Sequence, residues 1–344
     1  MPMAKQSNVV ESLLDSMRDG NEYGSIVDLR PTTGNLVPEL RRAIAEIETI
    51  RQRRCVCYVA NVIKEGIPDT TIVAGDHLPF NEMIEKISEA QNGVDVFLVT
   101  PGGFAEQVTL FVDALRAKFP NSVEFILPYK AMSAGTLWAL SGERIWMDRR
   151  ACIGPVDPQV PSSDNRLVPA QALLTLLDKI QAEGDAALKQ KQNPPWAYIR
   201  LLDRMDQRHL GAALSSTRYI EDIASRYLRD YKFSTWKNHS SNGQTVTIQE
   251  REDRANEVAK LICSHEKWKA HGHAINRDIA FSELKVKVDS IETVSGLERA
   301  VRRLWALFYY IFDKSTATKI MISREYSYIR TVNIAVQAPE GAPK

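Results

Sequence analysis

Apolar positions along the chain recur with two different periods. Spacings of three and four predict helices over residues 9–17 (VVESLLDSM) and 36–54 (LVPELRRAIAEIETIRQRR), joined by a Gly/Pro/Thr connector around RPTTGN. The rhythm then changes. CVCYVANVI, residues 55–63, is a short, valine-rich apolar run of the kind a buried strand requires. Beyond it the two patterns alternate. VDVFLVT (94–100), SVEFILPY (122–129) and RIWMD (144–148) predict strands. PFNEMIEKISEAQNG (79–93), AEQVTLFVDALRAKF (105–119) and SAGTLWALSG (133–142) predict helices around them. Strands alternating with helices of this length are the signature of parallel βα units, so the expected class is α/β.

Helical spacing dominates residues 168–231 and returns over 257–275, where the helix is expected to end near His271. NHSSNGQT, residues 238–245, reads as a surface loop. GLERAVRRLWALFYYIF (296–312) is an amphipathic helix with a heavy aromatic load, which suits an oligomer contact and an internal core helix equally well. SREYSYIRTVNIAV (323–336) alternates like an edge strand. The expected organisation is a helical N-terminal arm over residues 1–50, a main domain over 51–290, and a C-terminal helix and tail over 291–344.

Composition narrows the class. With 344 residues, 44% of them hydrophobic and 25% charged, this is ordinary globular material. A formal net charge of +1 without a long basic run gives nucleic-acid binding no electrostatic support. No run is long and apolar enough to span a bilayer, and the N-terminus lacks a signal-peptide core. Cys55, Cys57, Cys152 and Cys263 form no CxxC pair and read as small buried hydrophobes, which makes a reducing, cytoplasmic setting the expectation.

In parallel sheets ligands gather at the carboxyl ends of strands, where TPGG (100–103) and MSAG (132–135) both fall. Ser133 there is either a helix N-cap or a nucleophile. A serine nucleophile needs a base and two N–H donors for the oxyanion. Gly102 and Gly103 let a carbonyl approach the chain closely, and Ala134 offers an N–H at a helix N-terminus.

DVFLVTPGG followed by ILPYKAMSAGTLWALSGERIWMDRRACIGPVDPQV resembles the serine dehydrogenase proteinase family, in the signal-peptide-peptidase-like (SppA-like) branch of the Clp/crotonase superfamily. TPGG, AMSAG and GPVDPQ follow one another as in that family, and SHEKWKAHGHAINRDIAFSELKVKV is similar to its closing segment. The likeness covers residues 55–290 and is strongest over 95–160. It implies a Clp/crotonase-like spiral of ββα units with additional helices, a Ser133 nucleophile, an oxyanion hole from Gly102, Gly103 and Ala134, and a homo-oligomer acting on a peptide or protein substrate. No cofactor and no metal are implied. Peripheral membrane association stays open, because many relatives are membrane-linked.

The base is open at this level. The histidine that Clp peptidases carry after the strand following the nucleophile is missing from CIGPVDPQ. Relatives of the signal-peptide-peptidase kind use a helical lysine, for which Lys179 is the candidate, with Lys189 and Lys191 nearby. His271 falls at the family's W-x-x-H position, and an imidazole is the side chain type best suited to a proton shuttle. It is preferred, and Asp157 is the candidate to orient it or, more simply, to hold a Pro-rich turn. His265 and His271 stand six residues apart and would not share a face of one continuous helix, which argues against a zinc-peptidase motif. The expected function is therefore a serine peptidase. The alternatives are an inactive oligomeric scaffold of the same fold, in which Ser133 only caps its helix, and an acyl-thioester hydrolase.

Overall fold

The computed structural model describes residues 12–33, 36–88, 92–161, 167–239 and 242–332. Two helices lead in, α1 (Glu22–Leu29) and α2 (Val37–Arg51), and then β1 (Arg54–Ala60), α3 (His77–Glu85), β2 (Val94–Val99), α4 (Ala105–Lys118) and β3 (Val123–Leu127) alternate. The short β4 (Lys130–Ala131), α5 (Ala134–Leu140), β5 (Arg144–Met147) and β6 (Cys152–Ile153) follow. A hairpin, β7 (Gln159–Pro161) and β8 (Leu167–Pro169), opens the helical stretch α6 (Ala170–Lys189), α7 (Trp196–Arg204), α8 (Gln207–Tyr227) and α9 (Ile248–Cys263). The chain closes with α10 (His265–Trp268), α11 (Arg277–Ser282), β9 (Asp289–Ser290), α12 (Leu297–Lys314), β10 (Ala317–Ile322) and β11 (Ser327–Thr331).

Seven strands form one sheet in the order β11-β10-β1-β2-β3-β5-β9. It is parallel from β1 to β9, while β10 and β11 add an antiparallel edge. The class is α/β, as the alternation requires. Parallel strands covered on both faces read as continuous apolar runs, and all six residues of β2 are buried. Alternate side chains serve opposite layers. Val56 and Tyr58 face a core closed by α3, α4, α5, α8 and α9, centred on Trp138. Cys55, Cys57 and Val59 face a second core closed by α1, α2 and α12.

The aromatic helix α12 spends its apolar stripe on that second core, with Leu304, Leu307, Phe308 and Phe312 fully buried. The sequence-based case for an oligomer contact there lapses. All four cysteines are buried and free. Among the described residues no helix is long and apolar enough to cross a membrane.

A second, smaller ladder runs across the carboxyl ends of the central strands and gives the spiral of ββα units its inner turn. Ile72 bridges Gly103, Thr100 bridges Ala131, β4 pairs β6, and Ile153 bridges Ile275. That ladder positions the Ser133 turn against the Gly102–Gly103 turn.

Several element boundaries differ from expectation. Residues 12–17 form turns rather than a helix, with the Ser12 hydroxyl accepting the Leu14 N–H, and residues 9–11 lie outside the described part. The helix expected to reach Gly93 is α3, which starts at His77 and ends at Glu85. The helix expected over 257–275 is two. Ser264 stops α9 and caps α10, and Lys269, at φ +65°, ends α10 two residues before His271, close to where the helix was expected to end. SREYSYIRTVNIAV does yield the edge strand β11, with residues 333–336 outside the described part.

Candidate functional site

Ser133 sits between β4 and α5 with φ +50° and ψ −120°, a region that L-residues avoid. Holding a serine there costs about 1–3 kcal/mol and requires that its surroundings fix it. They do so from both sides. The Met132 N–H donates to Thr100 O (3.0 Å), the Gly135 N–H to Met132 O (2.8 Å), and the Leu137 N–H to Ser133 O (3.1 Å). The side chain makes no capping hydrogen bond, although Ser133 occupies the N-cap position of α5. A serine that only capped the helix would place its Oγ on the N2 or N3 amide.

TPGG lies directly against this turn. A Cβ built on Gly102 would fall 2.8 Å from Ser133 Cβ and 2.9 Å from Met132 O, so the two motifs touch. Gly102 and Gly103 have φ of +106° and +147°, conformations that glycine adopts without strain. The Gly102 N–H donates to Thr100 Oγ1 (3.1 Å). The N–H groups of Gly103 and Ala134 have no acceptor among the described residues. Parallel bridging explains the first, because the ladder uses the Ile72 N–H to Gly102 O (2.7 Å) and the Phe104 N–H to Ile72 O (3.0 Å), and skips Gly103.

Crowding at Gly103 gives a direct prediction. A Cβ there would stand 2.3 Å from Ile72 O and 2.4 Å from Ile72 N, both backbone atoms that cannot swing aside. Gly103→Ala should therefore destabilise the fold by about 2 kcal/mol or more in urea denaturation. A change below ~0.5 kcal/mol would mean that the 72–103 bridge is loose.

The remaining candidates fall into two groups. Asp157 and His271 meet: Asp157 Oδ1 lies 2.6 Å from His271 Nδ1, with the carboxylate fully buried and the imidazole about 30% exposed. An aspartate on Nδ1 fixes the tautomer with its proton on that nitrogen and leaves the Nε2 lone pair free. This pair is linked to the Ser133 turn through the small ladder. Ile153 bridges Ile275, and a Cβ on Gly154 would lie 2.5 Å from Met132 Cε and 3.6 Å from His273 O. The buried Thr136 hydroxyl accepts the Gly154 N–H (2.9 Å), tying α5 to the same strand. No hydrogen bond joins Ser133 to His271 among the described residues.

Lys179 lies apart, on the solvent side of α6, with its side chain 64% exposed and 3.9 Å from Glu183. That is the ordinary state of a solvated helix lysine. Lys189, in the last turn of the same helix, and Lys191, just beyond it, are likewise exposed.

One neighbour escaped the sequence reading. His265 Nδ1 stands 3.4 Å from Asp157 Oδ2, without the alignment of a hydrogen bond. The argument that His265 and His271 cannot converge assumed one continuous helix. The left-handed turn at Lys269 breaks it and brings both rings to Asp157. Among the described residues no group of three or more such side chains is arranged to hold a metal ion. Burial pushes the Cys152 and Cys263 thiols above their usual pKa, so neither is poised as a nucleophile.

Residues 40–188 match the ClpP-like SDH-type serine proteinase family. Two uncharacterized proteins of Methanocaldococcus jannaschii are similar over shorter stretches. One is 45% identical over 67 residues (20% of this chain, 23% of the relative) and the other 43% identical over 125 residues (35% and 41%). The chain thus matches less than half the length of either relative. Among solved structures, a serine-to-alanine mutant of the 1510-N membrane-bound stomatin-specific protease gives a TM-score of 0.27 at 22% identity, covering 37% of this chain and 63% of that one. A lysine-to-alanine mutant of that protease in complex with a substrate peptide gives 0.36 at 16% identity, covering 64% and 70%. At these TM-scores neither superposition bears on the chemistry.

Proposed function

We propose that this chain, whose residues 40–188 match the ClpP-like SDH-type serine proteinase family, hydrolyses peptide bonds with Ser133 as nucleophile. The carrying observation is the strained Ser133, its Oγ committed to no cap, pressed against a glycine turn beside two unused N–H groups. Backbone strain persists where the structure over-determines it, and it clusters at reactive sites.

In this reading Ser133 Oγ attacks the scissile carbonyl and its proton passes to His271 Nε2. Asp157 accepts the Nδ1–H and stabilises the imidazolium as it forms. The N–H groups of Gly103 and Ala134 receive the oxyanion, the latter helped by the N-terminus of α5. Gly102 supplies room rather than a donor, since Thr100 takes its N–H. His271 then returns the proton to the leaving amine, and water, deprotonated by the same ring, releases the acyl group from Ser133. Phe104, 62% exposed directly after Gly103, offers an extended peptide an apolar surface beside the reacting carbonyl.

The test is intact mass after incubation with a fluorophosphonate, followed by peptide mapping. One adduct on Ser133 is expected, formed at least ~100-fold more slowly in His271→Ala and unchanged in Lys179→Ala. Absence of any adduct would return the chain to the scaffold reading. Loss of labelling in Lys179→Ala but not in His271→Ala would transfer the base to α6.

A further inference from the structure

A formal net charge of +1 hides a local excess. A cleft of about 1040 Å³ opens between the segment that follows α8 (from Lys232 to Asn238), the start of β5 and the segment joining α11 to β9. Its cations are Arg144, Lys232, Lys237, Arg254, Lys285 and Lys287, and its acids are Glu143 and Asp289.

Both acids are already engaged. Glu143 takes Arg116 (2.6 Å) and the Val123 N–H (2.8 Å), while Asp289 takes Arg144 through both oxygens (3.0 and 3.1 Å). Arg254 pairs with Glu257. The four lysines have no carboxylate partner within ion-pair distance among the described residues. Lys232 is the most telling of them. It is 6% exposed, and its ammonium makes one long bond, 3.4 Å, to Glu143 O. Burial lowers its pKa to about 8, against the pull of Asp289. A buried cation left with so little compensation is costly, and a bound anion would supply what the cleft lacks.

Phe233, Trp236 and Phe281 line the same space, Trp236 edge-on to Phe233 and Phe281 66% exposed. A site for a bare anion has no need of aromatic planes, whereas a heterocyclic base stacks on them. The volume suits a small molecule. We propose that this cleft binds a nucleoside polyphosphate, with the phosphates on Lys232, Lys285 and Lys287 and the base against Trp236 and Phe281. The cleft meets the amino end of β5 at Arg144, whereas Ser133 follows the carboxyl end of β3. A ligand there acts as an effector rather than a substrate, and its binding does not depend on the proposed peptidase chemistry.

Calorimetric titration of the full chain at low salt tests this, with ATP, inorganic triphosphate and adenosine as separate probes. Saturable one-to-one binding of ATP is expected, with triphosphate weaker and adenosine weakest. Each ammonium removed should weaken ATP by about tenfold or more. Lys285→Ala with Lys287→Ala tests the exposed pair, and Lys232→Met tests the buried group, with thermal unfolding checked on both. Ser133→Ala should bind as wild type does. No heat from either ATP or triphosphate would overturn the proposal, as would unchanged ATP binding in the folded Lys285/Lys287 double variant. Triphosphate binding as tightly as ATP would overturn the nucleotide assignment.

Discussion

Ser133→Ala should abolish peptide hydrolysis while leaving the unfolding free energy within about 0.5 kcal/mol of wild type. Loss of an activated serine has cost up to ~10⁶-fold in kcat in a serine protease, because the triad acts as a unit. The stability half of the outcome is the more diagnostic. If the hydroxyl were capping α5, its removal would cost about 1 kcal/mol. It makes no such bond, and alanine at φ +50° carries the same backbone strain as serine. Ser133→Gly separates the two contributions further. Glycine relieves about 1–2 kcal/mol of left-handed strain and gives back about 0.5–1 kcal/mol in chain entropy, so the variant should be inactive yet equal to or more stable than wild type. Urea denaturation of the three proteins beside a peptide-hydrolysis assay reads both quantities. Destabilisation of Ser133→Ala by 1 kcal/mol or more, or retained hydrolysis, would make Ser133 a cap.

What the sequence made legible was local. Strand and helix alternation between residues 55 and 148 follows from apolar periodicity, and that alternation alone puts TPGG and MSAG at the carboxyl ends of neighbouring strands. The contact between Gly102 and Ser133 is the physical consequence. The pairing of His271 with Asp157 spans 114 residues and has no periodic signature. It came within reach of sequence reasoning only through the resemblance.

What was missed depended on distant partners or on summed quantities. β10 passed unnoticed because Thr318 and Lys319 interrupt its apolar run, and a lysine in a buried strand is tolerable only with a counter-charge. α1 is only eight residues long, with Gly24 inside it, too short for a periodicity to stand out, and Ile26 is its one fully buried side chain. The convergence of His265 on Asp157 turns on a single left-handed residue, Lys269, which no composition reveals. Net charge, for its part, cannot register a cluster of lysines compensated elsewhere on the surface.

Lys319, at the centre of β10, carries the second large expectation. Its ammonium, wholly buried, bonds Asp76 Oδ2 (2.6 Å) and Thr71 O (2.8 Å). Asp76 Oδ2 also accepts Tyr58 OH (2.8 Å) and the Val73 N–H (3.0 Å), and Arg330 stands 3.3 Å from Oδ1. Together they pin the 71–76 turn, whose Ile72 holds Gly102 and Gly103 in place. Burial holds the Lys319 pKa below the usual lysine value, against the pull of Asp76. A lysine lowered in the folded state makes stability rise with pH between its folded and unfolded pKa values, since the unfolded chain then binds more protons. Removing the ammonium alone leaves Asp76 buried with Arg330 as its one remaining counter-charge among the described residues, and Lys319→Met should cost about 3–5 kcal/mol. Adding Asp76→Asn should recover part of that loss, because the neutral amide no longer needs a cation, and a double-mutant cycle measures the coupling. On the proposed chemistry, folded Lys319→Met should also lose kcat more than it raises KM, because a loosened turn misplaces the Gly103 N–H where charge develops. A folded variant with wild-type kcat would separate the buried pair from the reaction and leave it a purely structural clamp.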